Sequence, residues 1–448
     1  MPVLLRNTKS RNRVWVLLIL LTGLCASQLL GIAVLNLFFT VCVGCYMVLT
    51  PSLEDAVLAL FVSLPMFNLF NASIGSTSMY YLFVLAFWYK YFKAHRWDLS
   101  RAKLLVLLCF LTVRLTAGDL SSTAKWFVLF SVLVLTYREN CMAGQLDTII
   151  KYTSVSFVIA SLFGYLMLVT GRSIYMAGHI YNDGVTTIRF AGLIGDSVFF
   201  SQICALLVGA NLTLGCYYRK YLGQGILLSA VISFFCTLSY AKTGLFLVIA
   251  EILVYAAWLL GKSVKKKAGL LYSLLFLTLF AVGAVVFGNY LLSGSASGVV
   301  QNYLIRFASS DLLTGRLKVW SHYIELMMGS WRTLFCAMPQ SVYGASFLFY
   351  GGNSLNRAHN IYIESVCAFG FLVTLFILIW LAWIIVRSLR RHDGFLNLIP
   401  IGVILTSGMM LHGHFDFHYY FIVAIAVAFL SYRNMPAQMP PAAGRRFE

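Results

Sequence analysis

Apolar segments long enough to cross a membrane follow one another along most of this chain of 448 residues. A helix needs about 20 mostly apolar residues to cross roughly 30 Å of hydrocarbon. Fourteen segments between residues 14 and 431 approach that length, and three of them are short or polar. Charged residues make up 11% of the chain, well below the roughly 25% of a soluble domain. The sequence therefore predicts an all-α polytopic membrane protein with about 12–14 transmembrane helices.

Loop lengths divide the predicted bundle into unequal parts. Most connections are short, as expected between antiparallel neighbours, but one long polar stretch breaks the pattern. We expect it to form a large external loop that contains short helices, with the next span directly after it at 361–386. The predicted parts are an N-terminal transmembrane bundle (1–150), central transmembrane helices (151–290) with an outer loop (171–196), the large external loop (291–360), C-terminal transmembrane helices (361–433) and a cytoplasmic tail (434–448).

The net charge of +18 first suggests a nucleic-acid partner, but the positions of the cationic residues explain the charge differently. If the basic N-terminal segment lies inside, most of the 33 lysines and arginines fall on the same side of fourteen spans. That distribution is typical of cytoplasmic loops. We therefore expect both termini in the cytoplasm, the lipid bilayer as a partner, and no nucleic acid.

The other cationic residues lie on or near the predicted external face. Topology does not require them there, so they need another explanation, and three of the site candidates come from this set. Its members are Arg114, Lys125, Arg172, Arg189, Lys242, Arg306, Arg316, Lys318, Arg332 and Arg357.

One of these cations, Arg316, lies in the long loop within TGRLKVW. Leu317, Trp320 and Ile324 recur at helical spacing, so we expect a helix there with Arg316 in its first turn. Free N–H groups and the helix dipole favour an anion at that position, and a guanidinium can bind phosphate through two hydrogen bonds. The alternative is a surface arginine whose stem packs beside Trp320.

Two further cations stand next to predicted spans. Arg189 lies in TTIRFAGLIGD, before a span that Asp196 or Ser197 could cap, and the nearby glycines permit close approach of a ligand. The alternatives are snorkelling to lipid head groups and an ion pair with Asp183 or Asp196. Lys242 lies in the tight outer turn SYAKTG, where snorkelling alone would explain it.

The sequence AHNIYIE places His359 and Asn360 at the end of the long loop, with Glu364 about one helical turn further on. A histidine at the external surface can be neutral and can take a proton from a hydroxyl group. The alternative is an interfacial histidine that is hydrogen-bonded to the backbone.

The sequence HGHFDFH contains His412, His414, Asp416 and His418 in the last predicted outer turn. Alternate residues share one side only in an extended segment, so we do not expect a metal site. A structural or substrate-contacting role and an inert turn both stay open. The chain has no P-loop, GxSxG, HExxH or outer DxD motif, so we expect no cofactor.

In this order, the segments resemble those of the O-antigen polymerase/ligase superfamily of bacterial envelope glycosyltransferases, over residues 185–420. RFAGLIGD resembles its arginine–glycine segment, and SYAKTG resembles its Ser-Arg-Thr-Gly element. TGRLKVW and AHNIYIE resemble the pattern that flanks its large periplasmic loop, and HGHFDF resembles its C-terminal His-Phe-Asp element. The chain departs at Lys242, where the family usually has arginine, which leaves a phosphate role for that residue in doubt.

The resemblance implies inverting, metal-independent transfer of a glycan from a polyprenyl-diphosphate donor. Arg189 and Arg316 would hold the diphosphate, and His359 would activate the acceptor hydroxyl. The remaining substrate-binding candidates are Lys242, Trp320, Asn360, Glu364, His412 and Asp416.

The leading hypothesis is a polymerase of undecaprenyl-diphosphate-linked oligosaccharide repeat units, on the external face of the bacterial cytoplasmic membrane. A chain-length regulator and a flippase of the same pathway are its candidate partners. The runner-up is a ligase that transfers the finished glycan to lipid A core or protein. A transporter is a rival from another class, but the ionisable residues gather at one face and no internal repeat is evident. A non-catalytic scaffold is a further rival.

Overall fold

The computed structural model describes most of the chain, and its described residues form fifteen α-helices, two 3-10 helices and two short hairpins. These residues are 2–50, 52–71, 79–137, 142, 145–172, 179–182, 185–218, 221–263, 316–339, 342, 347–349, 353–355, 358–390, 394–410 and 418–431. The helices are α1 (Pro2–Leu30), α2 (Ala33–Leu49), α3 (Leu53–Ser63), α4 (Tyr80–Ala94), α5 (Arg101–Leu115), α6 (Leu120–Thr136), α7 (Leu146–Val169), α8 (Ser197–Tyr217), α9 (Leu222–Leu238), α10 (Lys242–Ser263), α11 (Arg316–Met328), α12 (Ile361–Phe369), α13 (Phe371–Leu389), α14 (Gly394–Gly408) and α15 (Tyr419–Ser431).

The architecture is helical, as predicted, apart from the two hairpins. In the first, β1 (His179–Asn182) pairs antiparallel with β2 (Val185–Ile188). In the second, β3 (Phe347–Phe349) pairs antiparallel with β4 (Asn353–Leu355). The 3-10 helices are Leu64–Asn71, which continues α3, and Trp331–Leu334, which follows α11.

Six helices among the described residues are long and apolar enough to cross a membrane, which is compatible with a multi-pass membrane protein. Five shorter apolar helices accompany them, so the larger number of 12–14 spans stays a prediction. The predicted span near 268–289 lies outside the described residues. The six long segments are Arg13–Leu30, Leu53–Phe70, Leu146–Val169, Ser197–Tyr217, Lys242–Gly261 and Phe371–Leu389.

Contacts between helices show which of their ends lie together. Arg13 of α1, where the apolar segment of that helix begins, forms an ion pair of 2.6 Å with Asp55 at the start of α3. Lys90 near the end of α4 donates to the carbonyl of Val48 near the end of α2, at 2.9 Å. Lys103 of α5 donates to a carbonyl near the end of α6. These contacts define one end of the bundle, called the basic end; the opposite end, called the site end, carries the N-termini of α8, α10 and α12.

Helix α8 forms the centre of the bundle, whereas α13 lies at its periphery. Of the span Ser197–Tyr217, 89% is buried, and it packs against α7, α9, α10 and α14. Only 17% of the α13 span is buried, and its exposed side chains include Phe376 and Trp383. A helix with such an exposed apolar face fits a lipid environment.

The predicted single span at 361–386 is wrong, because Gly370 divides it into α12 and α13. Gly370 has a φ of 78°, which a residue with a side chain rarely adopts. A Cβ at this position would also meet the backbone of Phe335 at 3.0 Å. The short helix α12 therefore belongs with the long loop, and the apolar span begins at α13.

Arg114 has a structural explanation that its position in the sequence did not reveal. Its side chain is 1% exposed at the end of α5, and its guanidinium carbon lies 4.0 Å from the ring centre of Trp126. Nη1 donates to the carbonyl of Ala368 at 3.2 Å. This carbonyl is in the last turn of α12, where the helix dipole favours a cation. Arg114 thus joins α5, α6 and α12.

Replacing Arg114 with methionine should destabilise the fold by about 2–4 kcal/mol, because a desolvated cation–π contact and a charged hydrogen bond are both lost. Thermal unfolding in detergent should show a transition several degrees below that of the wild type. Arg101→Met is the matched control, since Arg101 is exposed on the same helix. Equal shifts for the two variants would contradict the assigned contacts.

Candidate functional site

The predicted helix in the long loop is confirmed as α11 (Arg316–Met328), and it carries two of the candidate residues. Arg316 and Trp320 are four residues apart, so they share one face of the helix. Trp320 Nε1 donates to the carbonyl of Ala358 at 3.0 Å. Arg316 Nη1 lies 3.2 Å from the sulfur of Met410, just after α14. Residues 301–315 lie outside the described part, so a place for Arg316 in the first helical turn stays a prediction.

His359 is held by fixed backbone on both sides. Its preceding residue, Ala358, is fully buried and accepts the bond from Trp320. Its following residue, Asn360, caps α12 by accepting from the amides of Tyr362 (3.0 Å) and Ile363 (3.2 Å). His359 itself has a φ of 50°, in the left-handed region that is uncommon for residues with a side chain.

The left-handed backbone of His359 carries a small cost in energy. A non-glycine residue in this region costs roughly 1–2 kcal/mol, and such strain persists where the surroundings determine it. Trp320 binds the residue before His359, and Arg316 lies one helical turn before Trp320 on the same helix. The structure therefore brings Trp320 of α11 to the backbone next to His359 and Asn360.

Helix α12 is fixed against α14 just below His359. Tyr362 Oη donates to the carbonyl of Leu405 at 2.7 Å. A Cβ at Gly408 would meet the side chain of Ile361 at 2.5 Å, so only glycine permits this close approach. Glu364 is completely buried one turn beyond Asn360. It lies within the packed interior of the site end and not on its surface.

Arg189 is anchored to the turn between α9 and α10. Its Nε donates to the carbonyl of Ser239 at 3.1 Å, and the amide of Phe190 donates to the carbonyl of Leu238 at 3.0 Å. Its side chain is half-buried. The contact with Ser239 differs from the two predicted alternatives for Arg189, lipid snorkelling and an ion pair with Asp183 or Asp196; Asp183 lies outside the described residues.

The segment after Arg189 is held in place from two sides. Asn68 Nδ2 donates to the carbonyls of Leu193 (3.0 Å) and Ile194 (2.7 Å). Asp196 caps α8 by accepting from the amides of Val198 (2.7 Å) and Phe199 (3.0 Å), which confirms one of the two predicted caps. The segment thus has a defined path into α8.

Lys242 is the first residue of α10, three positions after the carbonyl that binds Arg189. A cation at a helix N-terminus opposes the helix dipole and costs about 0.3–1 kcal/mol. Helix stability therefore does not explain Lys242. Lys242 adds its charge to the positive end of the α10 dipole, and a helix N-terminus is a favourable place for an anion.

Helix α8 connects the two groups of candidate residues. Its first turns meet α10, because a Cβ at Gly244 would overlap Ser201. The next residue, Gln202, donates from Nε2 to Ser407 Oγ of α14 at 2.6 Å. Packed helices lie about 8–10 Å apart. Lys242 therefore begins a helix that packs on the first turns of α8, and Arg316 contacts Met410, three residues after the Ser407 that Gln202 binds.

The HGHFDFH segment contributes one described residue. His412, His414 and Asp416 lie outside the described residues. His418 comes immediately before α15, and its ring packs edge-on against Phe67 at 5.4 Å between centroids. Burial lowers the pKa of His418 to about 4, so it is neutral near pH 7. Its position is that of a packed interior histidine.

A buried carboxyl group that no sequence motif indicated, Glu251, lies in the middle of the α10 span. This residue is 4% exposed, and its carboxyl group lies against Gly209 of α8. It makes no side-chain hydrogen bond among the described residues. The hydroxyl of Tyr255, one turn further on, donates to the carbonyl of Gly209 at 2.9 Å. One acidic residue within an otherwise apolar segment was the signal that could have drawn attention to Glu251.

Comparison with protein-family models, with curated proteins and with solved structures finds no match for this chain. Its function therefore has to be inferred from the chemistry of its own residues.

Replacing His359 with glycine should preserve or raise the unfolding temperature, because glycine adopts a φ of 50° without strain. Asn360→Ala should lower the stability by about 1 kcal/mol, since the cap of α12 is lost. Thermal unfolding in detergent compares the two variants. A strong destabilisation by His359→Gly would show that the imidazole holds the fold together, which contradicts its assignment as a presented functional group.

Proposed function

We propose that this chain is a membrane glycosyltransferase that polymerises undecaprenyl-diphosphate-linked oligosaccharide repeat units at the site end of the bundle. The observation that carries the proposal is the left-handed backbone of His359, directly after the residue that Trp320 of the Arg316 helix binds. An imidazole can act as a base, and a guanidinium can hold a phosphate, so the pair suits transfer from a phosphorylated leaving group.

In the proposed reaction, His359 takes the proton of an acceptor hydroxyl as its oxygen attacks the anomeric carbon of the donor sugar. The bond between that carbon and the diphosphate oxygen breaks, and the configuration at the carbon inverts. The electron pair leaves with the undecaprenyl diphosphate. The imidazolium then gives the proton to water, which restores the neutral base.

Cations that stabilise the charge of the leaving diphosphate would lower the barrier of this step. We assign this role to Arg316, whose guanidinium contacts Met410, and to Arg189 and Lys242, which lie at the turn between α9 and α10. Trp320 supports the pair through its bond to Ala358. We assign Asn360 and Glu364 positioning roles, because Asn360 caps α12 and Glu364 is buried beneath it.

The external location of the site is part of the proposal. Lys90, Lys103 and Arg13 gather at the basic end, which the distribution of cations in membrane proteins assigns to the cytoplasm. The site end would then face outward, in the bacterial cytoplasmic membrane. A ligase that passes the finished glycan to another acceptor uses the same chemistry and is the alternative within this class.

Arg316→Lys should reduce activity by at least 10-fold, because a lysine cannot replace the two-bond phosphate contact of a guanidinium. Lys318→Ala is the matched control: Lys318 is exposed two residues further along α11 and should matter little.

His359→Ala should abolish long chains while the protein remains inserted. The readout is the length distribution of glycans from cells that carry each variant.

The same glycan profiles separate the two enzymes. A defective polymerase leaves single repeat units attached to their acceptor, whereas a defective ligase leaves long chains on the lipid carrier. Unchanged ladders for His359→Ala, or a stronger effect of Lys318→Ala than of Arg316→Lys, would contradict the assigned roles.

Glu251 favours a second candidate function, which is proton-coupled transport of a lipid-linked sugar or polysaccharide. Ionisable residues buried near the bilayer midplane often mark ion pathways in transporters. Glu251 is buried midway along the α10 span, against a glycine of the central helix. Such a site is not needed for sugar transfer at the membrane surface.

Glu251→Gln separates the two functions, because it keeps the size of the side chain and removes its acidic proton. If the chain is a glycosyltransferase, purified protein in vesicles should retain polymerising activity within about 3-fold of wild type. Ser263→Ala, at the end of the same helix, is the control substitution. The transporter is favoured if the wild type forms no polymer but moves substrate across the vesicle membrane, and Glu251→Gln abolishes this movement.

A further inference from the structure

Helix α11 has an apolar exposed face in addition to its buried one. Val319 and Tyr323, which are 0% and 1% exposed, form the buried face. Leu317, Ile324 and Met328 are separated by seven and four residues, so they form one stripe along the helix. They are 57%, 47% and 83% exposed. The apolar spacing that predicted this helix from the sequence therefore belongs mostly to a surface stripe.

A third face of α11 is polar. Lys318 and Glu325 follow Leu317 and Ile324 by one residue each, so they lie about a quarter of a turn from the apolar stripe. Both are exposed. A helix that buries one side against protein and exposes apolar and charged sides next to each other fits a boundary between hydrocarbon and water.

The 3-10 helix Trp331–Leu334 extends the apolar surface. Trp331 is 73% exposed, and Leu334 and Phe335 are 45% and 54% exposed. Arg332, which lies between Trp331 and Leu334, is also exposed. Tryptophan next to arginine is typical of segments at the level of lipid head groups. The indole ring is favoured at that level, and the guanidinium can pair with lipid phosphates.

This surface continues into the apolar face of α13. The backbone of Phe335 and Cys336 packs against Gly370, where a Cβ would meet it at 3.0–3.2 Å. The next residue, Phe371, is 46% exposed and begins the exposed side of a span of which only 17% is buried. The exposed side chains of the 3-10 helix and of α13 therefore belong to one surface.

We propose that α11 and the 3-10 helix Trp331–Leu334 lie in the outer boundary of the bilayer, with their apolar stripe among the lipid acyl chains. Lys318 and Glu325 face water, and Arg332 lies at the level of the lipid phosphates. The partner is the bilayer itself, because the stripe joins the apolar face of a spanning helix. This placement sets Arg316 and His359 at the depth of lipid phosphates, and it holds whether or not the chain transfers sugars.

Neighbouring residues on different faces provide a sharp test. The photoreactive amino acid p-benzoylphenylalanine is introduced in separate full-length variants at Ile324, Met328, Trp331 and, as control, Glu325. Each variant is reconstituted in vesicles of phosphatidylcholine and phosphatidylglycerol, irradiated, and analysed by intact mass. We expect lipid adducts at Ile324, Met328 and Trp331 at five-fold or greater yield over Glu325.

Two results would overturn the proposal. Equal lipid yields at Ile324 and Glu325 would mean that the stripe does not face the acyl chains. Adducts with a second copy of the chain at Ile324 and Met328 would identify the stripe as a contact between protomers. Trp331→Phe provides a second readout in an otherwise native chain. Brominated lipids should quench the tryptophan fluorescence of the wild type more strongly than that of this variant, and equal quenching also counts against the proposal.

Discussion

The close packing of other helices on the first turns of α8 determines the arrangement of the whole site end. Gly244 allows α10 to touch Ser201, and the bond from Gln202 to Ser407 holds α14 on the other side. Within hydrocarbon, backbone polar groups must be satisfied inside each helix, and the helices associate through small residues and polar side chains. Because α8 is buried along 89% of its span, elements attached to its N-terminal turns have fixed positions relative to one another.

The chemistry that we assign to the site end follows from this arrangement. Helix α8 packs against α10, which begins at Lys242, and binds α14, which ends just before the Met410 that Arg316 contacts. Both contacts lead to cationic groups, next to helix N-termini whose dipoles add positive potential. In the proposed function these cations bind the diphosphate of a lipid-linked donor, and His359, whose backbone is left-handed, acts as the base.

Local sequence patterns predicted a good part of this structure. The apolar segments predicted the long apolar helices among the described residues, Asp196 caps α8 as one of two proposed caps, and the spacing that begins in TGRLKVW indicated α11. The break at Gly370 was missed, because it depends on the backbone of Phe335, which is distant in the sequence. The same reason applies to Arg114, whose partners lie on α6 and α12. The mid-span position of Glu251 was visible in the sequence, but its burial against Gly209 was not.

Convergence of the cations on one diphosphate can be tested by cryo-electron microscopy of the chain in a lipid nanodisc with undecaprenyl diphosphate bound. We expect density for the diphosphate over the N-terminal turns of α8, within hydrogen-bond distance of Arg316 and of Arg189 or Lys242, with the imidazole of His359 facing the adjoining space. Guanidinium groups that point apart, or a separation that one diphosphate cannot bridge, would contradict it.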